Sequence, residues 1–210
     1  MGRTTQGAVR EPLIVCIGGT ARAASTTERA VRFAARKVEE LGGRTEIFVG
    51  ADLDMPMYAP EQPDRTAAAQ RLIAAWRECD GLILASAGYH GAVSGIVKNA
   101  LDYTEDLAKD GNPYLHGKAV GLIATALHWH AVGTTLVSLR SIVHALRGWP
   151  TPLGVAINTT LPVFDAAGDC IAPDIAAQLS MLASQVMDFA RKQPDLQRDL
   201  PDSSKMLVTA

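Results

Sequence analysis

The 210-residue sequence is poor in the features that mark secreted, membrane-spanning and nucleic-acid-binding proteins. It has only three cysteines, Cys16, Cys79 and Cys170, which lie far apart and form no CxxC pair. An odd, scattered set of thiols is typical of a reduced cytoplasmic protein, not of a disulfide framework. No apolar run approaches the roughly 20 residues that a membrane-spanning helix needs. The formal net charge of −2 predicts no overall attraction to nucleic acid or to an anionic membrane surface.

The first twelve residues contain no targeting signal that we recognise. They are polar and have no apolar core of the kind that a secretory signal requires. A myristoylation pattern needs Ser or Thr at position 6, where this chain has Gln6. We therefore expect a flexible N-terminus over residues 1–12 and a cytoplasmic protein.

Five short segments, most of them apolar, alternate with segments of helical periodicity. These short segments are predicted strands at residues 13–18, 45–49, 81–87, 118–125 and 153–157. Apolar spacings of three and four residues predict the helices between them, including one over residues 133–147. Strands that alternate with helices imply a parallel sheet covered on both faces. We predict a single α/β domain over residues 13–192, a flavodoxin-like doubly wound sheet of five strands, and a loose tail over residues 193–210.

The loop after the first strand has the composition of a phosphate-binding loop. Ligands of doubly wound sheets bind at the carboxyl ends of the strands, which is where this loop lies. Its hydroxyl groups, its guanidinium and the N-terminus of the next helix all donate hydrogen bonds or carry positive charge. The candidate phosphate ligands are Thr20, Arg22, Ser25, Thr26 and Thr27. Composition leaves one alternative open, an ordinary capped turn with a surface arginine.

Two common nucleotide-binding motifs are absent from the sequence. A dinucleotide fingerprint needs GxGxxG, but no glycine follows Gly19 before Gly42. A Walker loop needs GxxxxGK followed by Ser or Thr. The segment that ends at Lys118 has one residue too many and is followed by Ala119. The loop after the first strand therefore favours the phosphate of a mononucleotide.

Four segments resemble the motifs of NADPH-dependent FMN reductases. The loop after the first strand is similar to their G-S-x-R-x-x-S-x-[NST] phosphate loop, with Thr20 in the serine position. Residues 52–58 resemble their D-L-x-x-[LM]-P-x-Y segment, and residues 164–168 resemble their F-D-x-x-G stretch. Residues 91–102 resemble their G-[ST]-[IV]-[PS]-G-x-[LF]-K-N-[AF]-[LI]-D run. The resemblance extends from about residue 13 to residue 189, with every element in order.

This resemblance implies two cofactors, FMN and NADPH (or NADH). It assigns Thr20, Arg22, Ser25 and Thr27 to the FMN phosphate. It also implies contacts to the flavin from the segments after the third and fourth strands. These candidate cofactor-binding residues are Ser86, Ala87, Gly88, Tyr89, His90, Leu127, His128 and Trp129. In that family hydride passes directly from nicotinamide to flavin N5, so we assign no catalytic side chain.

Two departures from the family pattern concern the substrate more than the cofactor. Where the family has Thr-Pro-Glu-Tyr-Asn, residues 86–90 of this chain are Ser-Ala-Gly-Tyr-His. Of the last four residues of that family stretch, this chain keeps only the tyrosine. Where the family has a glycine-rich turn after the fourth strand, this chain has the bulky segment 126–131. We expect this segment to form a loop that reshapes the pocket over the flavin ring. We expect no metal at His128 and His130, because no third ligand lies nearby in the sequence. A cofactor-lining or interface role is preferred for them.

The resemblance predicts an NAD(P)H:FMN oxidoreductase that forms a homodimer or homotetramer. Ser94-Gly95 is similar to the flavin reductases that serve sulfonate monooxygenases, so we expect reduced FMN to supply a partner monooxygenase. One alternative is a tightly bound FMN that reduces quinone or azo acceptors. Another is a non-enzymatic flavodoxin-like electron carrier or regulator. The net charge of −2 argues against a carrier, since such carriers are usually strongly acidic.

Overall fold

The computed structural model describes residues 11–198, with the backbone alone for residues 193–198. The strands are β1 Leu13–Gly19, β2 Arg44–Val49, β3 Gly81–Tyr89, β4 Ala92–Val93, β5 Ala119–Ala126 and β6 Trp149–Asn158. The α-helices are α1 Thr26–Glu40, α2 Ala67–Glu78, α3 Gly95–Asp102, α4 Trp129–Ala145 and α5 Pro173–Arg198. Within this range, no helix combines the length and the apolar character that crossing a membrane requires.

The five long strands form one parallel sheet in the order β2-β1-β3-β5-β6. The chain moves from β1 to β2 in one direction across the sheet, and from β3 to β5 and β6 in the other. The predicted five-stranded, doubly wound parallel sheet is confirmed. Its direction of winding reverses between β1 and β3, and a ligand of such a sheet binds at the carboxyl ends of the strands near that point.

Helices cover both faces of the sheet because each strand carries apolar side chains on both sides. Consecutive residues of a strand point to opposite faces. In β3, Leu82 belongs to the core shared with Leu139 of α4, whereas Ile83 belongs to the core shared with Val31 of α1. Helices α2, α3 and α4 thus pack on one face, and α1 and α5 pack on the other.

Two element boundaries near the predicted site differ from the sequence predictions. Strand β3 continues through Tyr89, so residues 88–89 are not part of a loop. Helix α4 begins at Trp129 and not at residue 133, so residues 128–131 of the segment that we expected to be a loop are the N-cap and first turn of a helix. Glycine misled both predictions, because Gly88 and Gly133 resemble breaks in the sequence. A glycine inside a helix costs only about 1 kcal/mol relative to alanine.

The end of the chain is also more helical than predicted. Helix α5 extends to Arg198, so residues 193–198 of the expected tail continue the helix despite Pro194. The preference of proline for helix ends is strong but not absolute. The rest of the expected tail, residues 199–210, and residues 1–10 of the expected flexible N-terminus lie outside the described residues.

One buried amide fastens the loop that follows β2. The Asn99 side chain on α3 is 4% exposed. Its Oδ1 accepts a hydrogen bond from Tyr58 N at 2.8 Å, and its Nδ2 donates to the carbonyls of Pro56 at 2.9 Å and Met55 at 3.2 Å. Asn99, which lies in the segment that resembles the family's K-N run, therefore holds the backbone of this loop against α3.

An ion pair holds the far end of the same loop. Arg65 donates from Nε to Asp106 Oδ2 at 2.7 Å and from Nη2 to Asp106 Oδ1 at 2.8 Å. The hydrogen bond from Arg65 lowers the pKa of the Asp106 carboxyl below its usual 3.8. Because the folded state lowers this pKa, the pair stabilises the fold above pH of about 3.8. That stability is lost as the pH falls through the lowered value.

We predict that Asn99→Ala lowers the free energy of unfolding by about 2–3 kcal/mol, because three backbone groups lose a buried partner. Urea denaturation measures the change. The control is Lys98→Ala, since Lys98 is half exposed and its ion-pair partner within the described residues is the partly exposed Asp102. Its effect should stay within about 0.5 kcal/mol. Equal losses in both variants would show that Asn99 does not fasten the loop.

Candidate functional site

Three of the predicted cofactor segments meet at the carboxyl edge of the sheet. In the register of the parallel strands, Gly19 of β1 lies beside Ser86 of β3, and Ala87 of β3 lies beside Thr125 of β5. The residues that follow β1, β3 and β5 therefore leave the sheet next to one another. This brings the candidate phosphate loop and both candidate flavin-contact segments to one place, at the switch point of the sheet.

The loop after β1 leads directly into the N-terminus of α1. Ser25 is the N-cap of α1, and its hydroxyl accepts a hydrogen bond from Glu28 N at 3.2 Å. Thr20 Oγ1 donates to the carbonyl of Arg22 at 3.0 Å, which closes the turn. Ala24 has a φ of 52°, in the left-handed region, and donates its N–H to Glu28 Oε2 at 2.9 Å. At least one amide of this loop thus already binds an anionic oxygen.

Arg22 is the charged group that this loop leaves available. Its side chain is exposed and has no hydrogen-bond or ion-pair partner among residues 11–192, whose side chains the structure describes. A guanidinium presents a fork of donors that matches phosphate oxygens. The unpaired guanidinium and the N-terminus of α1 give the loop the donors and the positive charge that a phosphate needs. Thr26, the first residue of α1, is half-buried beside them.

Thr27 differs from the other candidate phosphate ligands because its hydroxyl bonds to a residue distant in the sequence. It is 2% exposed, and its Oγ1 lies 2.7 Å from Oγ1 of Thr125, which is also buried. This hydroxyl pair joins the first turn of α1 to the end of β5. Thr27 therefore connects the helix that follows the candidate phosphate loop with the strand that leads into the segment after β5.

A pair of buried serines connects β1, β3 and α3. Ser86 is fully buried, and its Oγ accepts a hydrogen bond from Ser94 N at 2.9 Å and donates to the Ala87 carbonyl at 2.9 Å. Ser94 Oγ in turn donates to the Gly19 carbonyl at 3.1 Å. The Ser86 hydroxyl thus bonds to protein groups. Together with Ser94 it holds the ends of β1 and β3 against the start of α3. Ser94, the N-cap of α3, was not among the predicted site residues, although a serine before a helical segment is a recognisable cap signal.

The end of β3 forms a two-residue hairpin that the sequence analysis missed. Tyr89 pairs antiparallel with Ala92, and the two residues between them, His90 and Gly91, have φ values of 52° and 84°. Two consecutive residues with positive φ form a type I′ turn, which suits the twist of a hairpin. Histidine is one of the residues that tolerate this conformation. The turn presents His90 and the Tyr89 side chain, which is 55% exposed, at the carboxyl edge.

Helix α4 packs closely against the end of β3 at Gly88. A Cβ atom at Gly88 would lie 2.5 Å from Oγ1 of Thr135, which is buried on α4. Gly88 therefore permits a close contact that any side chain would prevent. Because of this contact, the first turn of α4 stands beside the hairpin. Ala87, next to it, is 8% exposed.

Exposed apolar and aromatic side chains line this part of the edge. Leu127 is 60% exposed and follows Thr125 by two residues, as Tyr89 follows Ala87, so Leu127 and Tyr89 extend from neighbouring strands. Trp129, at the start of α4, is 61% exposed. The rings of His128 and His130 stack with their centroids 5.5 Å apart. In residues 11–198 no group of three or more His, Cys, Asp or Glu side chains is arranged to hold a metal ion.

The buried thiols take no part in this site. Burial raises the pKa of the Cys16 thiol far above its usual value, so that it stays protonated. Burial likewise raises the pKa of Cys79 to about 11. Because the thiolate is the reactive form, both residues are packing groups in the interior of the sheet and its helices.

We predict that Gly19→Ala destabilises the fold by about 2 kcal/mol or more, because its Cβ would lie 1.8 Å from Cγ2 of buried Val97. Thermal unfolding measures the change. The matched control is Gly95→Ala on α3, where a Cβ meets nothing within 4 Å. That variant should be at least as stable as the wild type. A Gly19→Ala protein as stable as Gly95→Ala would contradict the close approach of β1 and α3.

Comparison with known proteins identifies one family over most of the chain. The family model of NADPH-dependent FMN reductases matches residues 12–161. An NADPH azoreductase of Bacillus sp. (strain OY1-2) is 31% identical over 114 residues, which cover 54% of this chain and 58% of that protein. The NADPH-dependent FMN reductase ArsH of Shigella flexneri is 27% identical over 158 residues, which cover 74% of this chain and 59% of that protein. The match thus spans less than two thirds of the length of these relatives.

A solved structure shows the same fold. FerB, a flavoenzyme NAD(P)H:(acceptor) oxidoreductase from Paracoccus denitrificans, superposes with a TM-score of 0.69 and 19% identity over 88% of this chain and 99% of that chain. At this identity the likeness concerns the fold alone. The family model, in contrast, covers more than half of the chain and includes the phosphate loop, β3 and α3. The chain therefore belongs to the NADPH-dependent FMN reductase family.

Proposed function

We propose that this protein is an NAD(P)H-dependent FMN reductase that binds FMN at the carboxyl edge of the sheet. The observation that carries the proposal is the Arg22 guanidinium, which has no partner in the described part of the chain and lies in the loop that opens onto the N-terminus of α1. The loop lies at the switch point of a doubly wound sheet, where ligands of such folds bind. The free Cys16, Cys79 and Cys170 support a cytoplasmic location.

The residues of the loop suit the phosphate of a mononucleotide. Arg22 supplies charge and paired donors, and the backbone amides at the start of α1 supply further donors. Ser25 caps the helix, and the Thr20 hydroxyl turns the loop. Gly19 has no side chain, so the loop begins directly above α3 without a collision. We assign phosphate binding to Thr20, Arg22, Ser25 and Thr26, and we assign Thr27 to fixing the start of α1 against β5.

The segments after β3 and β5 suit a flat, partly apolar ring. When bound here, FMN would supply the hydride-accepting redox chemistry. The residues of this chain bind and orient that ring and exclude water from it. Tyr89, Leu127 and Trp129 offer exposed apolar surface at the edge, and the backbone of residues 87–90 offers amides and carbonyls. No side-chain acid or base is needed for direct hydride transfer.

The acceptor of the electrons separates two versions of this function. In the first, reduced FMN leaves and supplies a partner monooxygenase, as the resemblance at Ser94-Gly95 suggests. In the second, FMN stays bound and reduces a quinone or azo compound. The exposed Trp129, Tyr89 and Leu127 favour the second version, because flat aromatic acceptors stack on such side chains. The azoreductase names of two relatives agree with it. The Ser94 hydroxyl, in contrast, bonds to Gly19 and has a packing role.

Anaerobic addition of NADPH to the protein with FMN tests this proposal. We expect rapid loss of the visible flavin absorbance, because hydride reaches the flavin. Gel filtration of the reduced sample then distinguishes the two versions, since a bound cofactor elutes with the protein and a dissociable one does not. Retained absorbance with FMN shown to be bound would contradict the reductase and favour an electron carrier or a regulatory flavoprotein.

We predict that Arg22→Ala raises the dissociation constant of FMN about 10- to 100-fold, because one charged hydrogen-bonding group on the phosphate is lost. Titration of flavin fluorescence measures it. Arg36→Ala is the control, since Arg36 is an exposed arginine of α1 that contacts Gly168 and Asp169 away from the loop. It should leave FMN affinity unchanged. Unchanged affinity in Arg22→Ala would remove the phosphate site from this loop.

We predict that Trp129→Ala lowers kcat/KM for a quinone or azo acceptor about tenfold, in line with the loss of one aromatic stacking contact. The dissociation constant of FMN should change by a smaller factor than kcat/KM for the acceptor, because the phosphate loop is intact. Met181→Ala is the control, as Met181 is also exposed but lies on α5. An equal loss of FMN binding and acceptor turnover in Trp129→Ala would show that this residue holds the cofactor and not the acceptor.

A further inference from the structure

The segments that meet at the candidate site carry no acidic side chain. Residues 111–164, which include β5, α4 and β6, contain no Asp or Glu, although the whole chain has 22 acidic residues. Residues 81–101, from β3 into α3, contain none either. The same is true of residues 20–27, which follow β1. The acidic residues of the chain are therefore concentrated elsewhere, and these segments have no negative side chain of their own.

Acidic residues that follow the two edge strands lie away from the start of α4. Asp52 and Asp54 follow β2, which β1 and β3 separate from β5. Asp165 follows β6, but its carbonyl accepts a hydrogen bond at 2.9 Å from Arg29 of α1, on the other face of the sheet from α4. The fold thus brings none of these three carboxylates to the α4 side of the site.

Most cationic side chains of residues 111–164 already have partners. Lys118 is buried and donates to a backbone carbonyl. Arg140 donates to two carbonyls of β6, at 3.3 and 3.1 Å. The guanidinium carbon of Arg147 lies 5.5 Å from the centre of the Tyr114 ring. The histidines of this segment remain as the groups that can offer positive charge to a ligand.

Two of these histidines stand at the candidate site. His128 is the N-cap of α4, and its side chain makes no capping hydrogen bond. Its ring stacks on that of His130, with the centroids 5.5 Å apart and the planes 7° from parallel. Both imidazoles are exposed, and neither has a hydrogen-bond or ion-pair partner in the described part of the chain. His116 and His144 lie at the opposite, amino end of the sheet, before β5 and near the end of α4.

We propose that His128 and His130 bind an anionic group on the aromatic ligand that approaches the flavin, while the ring of that ligand packs on Trp129. The anion is a sulfonate or carboxylate of the electron acceptor, or the phosphate that distinguishes NADPH from NADH. The assignment rests on the proposed function, because it names the chemical class of reactant for the same site. An imidazole donates N–H hydrogen bonds, and it is cationic when both nitrogens are protonated. Two imidazoles this close can reach different oxygens of one anion.

The pairing of the two rings favours an anion over other ligands. Two protonated imidazoles repel each other, and an anion that contacts both offsets this repulsion. The segments of the site supply no carboxylate for that purpose. A neutral aromatic ligand would use Trp129 and would not require the imidazoles. A metal ion needs three or four ligands, and the described residues contain no group of three that could hold one.

Calorimetric titration of the FMN-saturated protein with two probes tests this site without turnover. Naphthalene-2-sulfonate carries the anion, and naphthalene-2-sulfonamide has nearly the same shape but no charge. We expect the sulfonate to bind about tenfold more tightly, in line with charge-assisted hydrogen bonds to the anion. Equal affinities of the two probes would overturn the proposal.

Two double variants locate the preference. H128Q/H130Q removes both imidazoles of the site, so we expect the two probes to bind it with equal affinity. H116Q/H144Q is the matched control, because it removes two exposed histidines at the amino end of the sheet. It should keep the preference for the sulfonate. A preference that survives in H128Q/H130Q, or is lost equally in both variants, would overturn the proposal.

Steady-state kinetics of H128Q/H130Q distinguishes the two sources of the anion. Methyl orange and 4-(dimethylamino)azobenzene differ only in the sulfonate. If the acceptor carries the anion, kcat/KM for methyl orange should fall about tenfold relative to that for the uncharged dye. If NADPH carries it, the ratio of kcat/KM for NADPH to that for NADH should fall about tenfold instead. No change in either ratio would overturn the proposal.

The calorimetric and kinetic results separate the failure of the anion site from the failure of the proposed function. A protein that binds FMN without oxidising NADPH would contradict the reductase, but the preference for naphthalene-2-sulfonate and its loss in H128Q/H130Q would still show the anion site. Normal oxidation of NADPH with equal binding of the two probes would overturn the anion site alone.

Discussion

The close approach of Gly19 to the first turn of α3 is the constraint on which the candidate site depends. At this point β1 leaves the sheet directly over Val97, with no room for a Cβ atom. The Ser94 hydroxyl bonds to the Gly19 carbonyl, and the Ser86 hydroxyl accepts from the Ser94 amide. These bonds fix where the candidate phosphate loop begins relative to β3. The position of Arg22 and of the N-terminus of α1 follows from that starting point.

A second set of contacts brings α4 to the same edge. Gly88 allows Thr135 to pack on the end of β3, and the Thr27–Thr125 hydroxyl pair joins α1 to β5. The framework of the site is thus made of buried serine and threonine hydroxyls and two glycines. Arg22, the apolar residues of the edge and the imidazoles of His90, His128 and His130 remain exposed on this framework. A rigid frame with exposed binding groups is what a cofactor site on a doubly wound sheet requires.

The sheet and its order of elements were predictable because the buried central strands β1, β3 and β5 are largely apolar runs between turn residues. The boundaries at Tyr89 and Trp129 were not predictable in the same way. Gly88 resembles a break in the sequence, yet it is needed inside β3 because Thr135, far away along the chain, packs on it. Helix α4 contains Gly133, whose outward position is visible only once the helix is folded.

For the site residues, too, local sequence predicts what does not depend on contacts distant along the chain. The hydroxyl-rich composition of the loop after β1 indicated a phosphate site, and Arg22 is exposed and unpaired within the described residues as that interpretation requires. Thr27 and Ser86 were selected for the same hydroxyl chemistry, but their partners are Thr125 and Ser94. Composition shows which groups can bind a phosphate. It does not show which of them are already bound to a residue distant in the sequence.

A crystal structure of the FMN complex tests the central claim most directly. The account predicts the flavin phosphate within hydrogen-bonding distance of the Arg22 guanidinium and of amides at the start of α1. It also predicts the ring beside Tyr89 and Leu127, with Ser86, Ser94 and Gly19 unmoved. An FMN phosphate bound elsewhere, with Arg22 pointing to solvent, would contradict the assignment of this edge as the cofactor site.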